Sequence, residues 1–332
     1  MKKLICIVLS ILMLISILSV VGCSKEEPKV SFGLGVYSEA TKATNAEGET
    51  NGQGAVSITA AAITVDADGK VVACDVDTAD ITVSYTSEGK AVANDSFKTK
   101  RELGDGYNMK AYGGAAKEWF EQADAFETVV IGKTLDEIKA LVADADKGTD
   151  EVVNAGCTIM VADFVLAIEK AFANAKESDA TAASKVTLGA YTEQKTQDAD
   201  GDKAGYNQIE TTFVAGATDA EGTIVAASSD CVQVQFTFTA AGASTYEIKD
   251  IKSKKEAGAN YGMSSYGVDL NGDGEVKEWF EQAAAFDTAC VGKKAGDLNA
   301  LLGENGYANS ELQTAGCTIA INAFVKAAAK IG

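Results

Sequence analysis

KEWFEQADAF at residues 117–126 returns as KEWFEQAAAF at 277–286, and NAGCTIMVADF at 154–164 returns as TAGCTIAINAF at 314–324. Both pairs are offset by 160 positions. A constant spacing between two blocks, kept in both copies, is the mark of an internal duplication. Further upstream, Leu34-Gly35-Val36-Tyr37 matches Leu188-Gly189-Ala190-Tyr191, and Asp66-Ala67-Asp68-Gly69 matches Asp219-Ala220-Glu221-Gly222. The offset there is 153 or 154, so about six extra residues enter the second copy around Asp269–Glu275. Repeat A is therefore read as 30–176, repeat B as 184–332, and the polar, Ala-rich stretch 177–183 as a linker. A unit this long, present twice, suggests twin domains and not a solenoid.

Within each copy, strand patterns come first and helix patterns follow. Val56 to Val65 and Val71 to Val76 are apolar, β-branched runs joined by an Asp-Gly turn signal at 66–69, and Ile81 to Tyr85 adds another. Trp119, Phe120, Ala123, Phe126 and Val130 then recur at helical spacing. Thr134 and Glu137 form a capping box ahead of Ile138 and Leu141. A last helix is expected after Thr158, with Ile159, Ala162, Phe164 or Val165, and Ile168 inward. Strands followed by helices predict an α+β fold with an antiparallel sheet, present in two tandem copies.

The N-terminus carries a different signal. Lys2 and Lys3 precede an apolar run from Leu4 to Val21, the export pattern. The run ends in Val20-Val21-Gly22-Cys23, which resembles the bacterial lipobox. That resemblance implies a signal peptide over 1–22, lipidation of Cys23, and an acylated anchor holding the chain on the extracytoplasmic face of the cell membrane. Two acyl chains anchor stably where one is marginal. Residues 23–29, with the chain's only proline, Pro28, read as a solvated tether.

Composition narrows the chemistry. Cleavage before Cys23 removes two lysines and no acid, moving the formal charge from −19 to −21. Nucleic acid and anionic headgroups require basic surface, so neither is an expected partner. There is no histidine, which excludes histidine triads and imidazole metal ligands. No nucleophile elbow or spaced carboxylate pair suggests a hydrolase. Cysteines after Cys23 are odd in number and do not read as a disulfide framework.

The AGCT blocks are the main candidate site. Gly156 and Thr158, and likewise Gly316 and Thr318, lie just before the final helix of each copy. This arrangement resembles the FMN-binding domain family, in which a small-Gly-Ala-Thr stretch precedes the C-terminal helix. The resemblance covers most of each repeat. It implies FMN as cofactor, attached through phosphate to Thr158 and Thr318 by a flavin transferase, and electron transfer from a membrane donor. On the same reading Gly156 and Gly316 let the backbone approach the flavin, and the helix N-terminus faces its phosphate. Cys157 and Cys317 stand where the family has alanine, Ala155 and Ala315 where it has Ser or Thr, and Val152 and Leu312 where it has aspartate. The KEWFEQ blocks also resemble Firmicutes surface lipoproteins of the FMN-binding or major membrane immunogen type. Tyr107 with Met109, and Tyr261 with Met263, repeat in the preceding Gly-rich loop and are candidate ring contacts. Trp119 and Trp279 are expected in the core. The alternative to a flavoprotein is a cofactor-free surface module that binds a solute or protein partner. Asp269, Asn271, Asp273 and Glu275 resemble the start of a calcium loop, with glycine at the sixth position but Phe280 in place of the twelfth-position glutamate.

Overall fold

The computed structural model describes residues 27–248, 251–267, 269, 272 and 274–332. The lipobox-like stretch ending at Cys23, the apolar run before it, and Asn271 and Asp273 lie outside the described residues. No described helix is long and apolar enough to cross a membrane.

Repeat A opens with strands β1 (Lys29–Thr44), β2 (Gly52–Val65), β3 (Val71–Tyr85) and the short β4 (Ala91–Val92). Helices α1 (Lys100–Leu103), α2 (Met109–Gly113), α3 (Trp119–Val130), α4 (Leu135–Lys139), α5 (Asp150–Ala155) and α6 (Ala162–Asn174) follow. Next comes β5 (Lys176–Thr181). Repeat B supplies β6 (Lys185–Gln197), β7 (Gly205–Thr218) and β8 (Ile224–Phe238), then α7 (Lys254–Ala257), α8 (Met263–Tyr266), α9 (Trp279–Cys290), α10 (Ser310–Thr314) and α11 (Asn322–Ala328). One antiparallel sheet has the order β4-β3-β2-β1-β5 and the other β6-β7-β8. The fold is α+β with antiparallel sheets, as the strand-then-helix order predicts.

Period-2 alternation sends each sheet's residues to two apolar layers. Leu34, Ile58 and Ile81 from repeat A meet Ile209, Phe213 and Val234 from repeat B in one core between the sheets. The opposite face of each sheet is covered by its own helices. Ala61 and Ile63 pack with Phe126 and Ile168, and Val214 and Ile224 with Phe286 and Phe324. The layers thus run helices, sheet, sheet, helices. Glycine permits the closest approaches: a Cβ at Gly35 would collide with the Ala167 carbonyl of α6, and one at Gly189 with the Ala327 carbonyl of α11.

The sequence reading of twin domains joined by a linker needs correction on one point. Residues 177–181 are strand, not linker: they form most of β5, which pairs antiparallel with β1 at the edge of sheet A. The two repeats are also bound to each other directly. Leu188 N–H donates to Asp75 at 2.7 Å, Asn207 Nδ2 to the Ser84 carbonyl at 3.0 Å, and Tyr85 stacks on Phe238 at 4.2 Å. A polar linker pattern reads as solvated, yet an edge strand has one hydrogen-bonding side free and tolerates the same residues.

The helices bear out their patterns with one shift. Trp119, Ala123, Phe126 and Val130 are buried on α3, and Thr134 with Glu137 closes the expected capping box. Phe120 is only half-buried. The last helix starts at Ala162, with Val161 at its N-cap position, not at Thr158.

Candidate functional site

The KEWFEQ block turns out to be a clamp, with Glu118 and Gln122 holding two loops to the start of α3. Glu118 accepts the Met109 N–H at 2.7 Å and the Lys110 N–H at 3.2 Å, while Glu121 accepts the Glu118 N–H at 2.7 Å to close a capping box. Gln122, 1% exposed, accepts both the backbone N–H of Thr158, at 2.8 Å, and its hydroxyl, at 2.9 Å. The other end of the same amide donates to the Lys117 carbonyl at 3.1 Å and touches the Met109 sulfur at 3.2 Å. Repeat B reproduces the set. Glu278 takes the Met263 N–H at 2.9 Å, and Gln282 takes the Thr318 N–H and hydroxyl at 2.8 and 3.0 Å. One glutamine therefore brings the sequence-predicted threonine and methionine of each copy together. Sequence reading missed this glutamine. The available signal was a polar residue kept in both copies on a helix otherwise patterned for burial.

In repeat B, Met263, Gln282 and Thr318 line one cavity of about 760 Å3. Its floor is the helix-facing side of sheet B, where Glu210 and Thr212 of β7 lie opposite Gln233 and Cys231 of β8. Tyr261, Met263, Trp279 and Phe324 supply apolar walls, and Thr318 and Ile319 a further side. Trp279 is 3% exposed and packs in the core, as expected, while also presenting surface to the cavity. Lys254 lies over the Tyr261 and Trp279 rings, 5.1 and 5.7 Å from their centroids.

Other sequence-predicted residues fall elsewhere. Gly316 and Cys317 do not line the cavity. Cys157 and Cys317 are fully buried core residues, and burial pushes their thiols up to about 11 and about 12. Beside Gly156 and Gly316 runs a lysine side chain. Their φ values of +107° and +99° are left-handed, and a Cβ at either would collide with the ammonium of Lys117 or Lys277. Glycine is needed there for the turn and for the lysine's passage. Nor do the amides around Thr318 wait for a phosphate, since Cys317 N–H donates to the Leu312 carbonyl and Thr318 N–H to Gln282. The expected helix terminus lies further on, at Asn322.

The described cysteines 74, 157, 231, 290 and 317 are all free thiols. In the acidic loop, Asp269 accepts the Gly272 N–H at 2.6 Å and the Gly274 N–H at 2.9 Å, and Glu275 is exposed. Among the described residues no group of three or more potential metal-ligating side chains converges. Compared with known proteins, the chain matches no family model, no curated protein and no solved structure.

Proposed function

We propose that this chain is a lipid-anchored, extracytoplasmic binding protein whose repeat-B cavity holds FMN for electron transfer. The observation that carries the reading is the convergence of Thr318, Tyr261 and Met263, each singled out from sequence, on one cavity with Trp279. A volume near 760 Å3 lies within the range of about 300–1,000 Å3 typical of small-molecule and cofactor sites. Aromatic and thioether walls suit a flat ring. For the phosphate, spent loop amides leave charge as the means of recognition, and Lys195, among the residues lining the cavity, supplies it. The Thr318 hydroxyl, held by Gln282, is the attachment point the family resemblance implies. FMN, when bound, supplies hydride and single-electron exchange; the protein's part is to stack the ring and exclude water. The lipobox supports the anchor at Cys23, with the membrane as the first partner and a flavin transferase and membrane electron donor as the others.

The test is flavin absorbance and fluorescence of protein purified from its native host, or from cells co-expressing a flavin transferase. Signal that survives denaturation and maps to the Thr318 peptide is expected. Signal lost on denaturation would replace attachment by non-covalent binding, and no flavin at all would overturn the reading. A cofactor-free module binding a solute or protein partner would then stand, favoured by the lysine-filled glycine positions and the spent amides.

A further inference from the structure

The floor of the repeat-B cavity carries a cation that the sequence reading did not single out. Lys254 is 7% exposed and faces the cavity from the first position of α7. Burial pulls such an ammonium toward neutrality, but Cys231, Glu210 and Tyr261 around it outweigh that and hold it charged, above its ordinary range. Its carboxylate partner, Glu210, is 3.4 Å away and is shared. Glu210 also receives Lys195 at 3.1 Å and Gln208 at 2.6 Å. The equivalent Lys100 in repeat A is engaged differently, by Asp80 at 2.9 Å. Gln233, which accepts the Tyr261 hydroxyl at 3.1 Å, and Thr212 complete a polar floor beneath aromatic walls.

A charged donor with a long, shared partner, held over the faces of Tyr261 and Trp279, is placed to donate to the acceptor edge of a ligand that enters the cavity. We propose that Lys254 sets the ligand class of this cavity, selecting a planar heteroaromatic ring with a carbonyl-rich or anionic edge and donating to that edge. The inference rests on the cavity accepting a ring-bearing ligand, and it goes beyond that reading in naming the residue that chooses among such ligands. Hydrogen bonds from a charged donor contribute more than neutral ones, whereas Glu210 competes for the same ammonium.

The experiment titrates riboflavin and FMN into the full chain, purified in detergent from cells without a flavin transferase, and reads flavin fluorescence quenching. Lys254→Met is expected to weaken both ligands alike, by about tenfold or more. Lys254→Arg keeps the charge and is expected to restore affinity to within about threefold. Glu210→Gln, by freeing the ammonium, is expected to tighten both, a gain that misfolding cannot produce. If Lys254→Met weakens FMN but not riboflavin, the lysine reads the phosphate and the ring-edge assignment is overturned. If it changes neither, the assignment is overturned while the cavity reading stands. If the unaltered chain binds neither flavin, both fall together.

Discussion

The two site regions share a scaffold and differ in what lines it. In each repeat a buried glutamine clamps the threonine, a glutamate caps the methionine loop, and a lysine lies over a tyrosine and a tryptophan ring. In repeat B the cavity has Glu193 and Glu210 balanced by Lys195 and Lys254. In repeat A, Lys100 shares its surroundings with Glu39, Asp80, Asp146 and Asp163. Burial, then the charges of Glu39, Asp146 and Asp80, raise the Asp163 carboxyl above its ordinary range in spite of Lys100. An anionic ligand entering repeat A meets excess negative charge, and one entering repeat B does not. The lesson is that a duplicated clamp can be kept in both copies while the charges around it diverge.

That contrast can be broken most decisively with flavin itself. Thr318→Val is expected to abolish denaturation-resistant flavin, and Thr158→Val to leave most of it, as read by peptide mass and in-gel fluorescence. Equal loss from both variants would erase the difference between the sites. The next largest effect concerns what the repeats share. Phe213 is fully buried in the core between the sheets, so Phe213→Ala is expected to cost about 3–5 kcal/mol. Calorimetry should show both repeats melting in one transition; two transitions would make the repeats independent after all.

A smaller effect follows from another unequal pair of positions. In repeat A the only arginine of the chain, Arg101, faces three carboxylates, bonding Asp124 at 2.7 Å, Asp75 at 3.3 Å, and Glu127. One guanidinium cannot neutralise three acids. Burial, against the pull of Arg101 and with the push of Asp75, lifts Glu127 to about 8. Between the ordinary carboxylate range and pH 8 the folded chain keeps a proton that the unfolded chain has lost. Stability should therefore fall as pH rises through that window and level off above it. Glu127→Gln should flatten the slope in chemical-denaturation curves; an unchanged slope would place the titration elsewhere. Repeat B has Lys255 and Asp287 in the corresponding positions, with Asp287 held by the Ser229 hydroxyl at 2.6 Å. The smallest effect is expected at the loop present only in repeat B. Both Asp269 oxygens already accept backbone amides, so millimolar calcium should leave the melting temperature unchanged. A rise, which binding to the folded state alone would produce, would assign the ion there.

The duplication, the α3 and α9 helices, the Thr134 capping box and the Asp-Gly hairpin turn were legible because each is written in local spacing. Legible too was the repetition that marks Thr318, Tyr261 and Met263, which the fold brings to one cavity. The roles of Gly156 and Gly316 were not. A glycine shows that a side chain is disfavoured, but not whether a ligand or a lysine from the loop before α3 or α9 lies beside it. Lys254 escaped notice because its burial depends on strands and helices that meet only in the folded chain. The shared core escaped for the same reason: apolar residues on a strand's second face read equally well as a twin domain's interior.

The edge strand β5 has one more consequence, which concerns access. Lys29, six residues beyond Cys23, pairs with Thr181 of that strand, and four residues later Lys185 bonds the carbonyl of Gly332. Lys29 and Gly332 therefore lie near each other, on either side of the β5–β6 connection. With the proposed anchor at Cys23, a reporter fused after Gly332 would be carried at the bilayer surface, and a short peptide joining Gly332 to Lys29 would close the described body into a ring ready to be reopened at a distant loop.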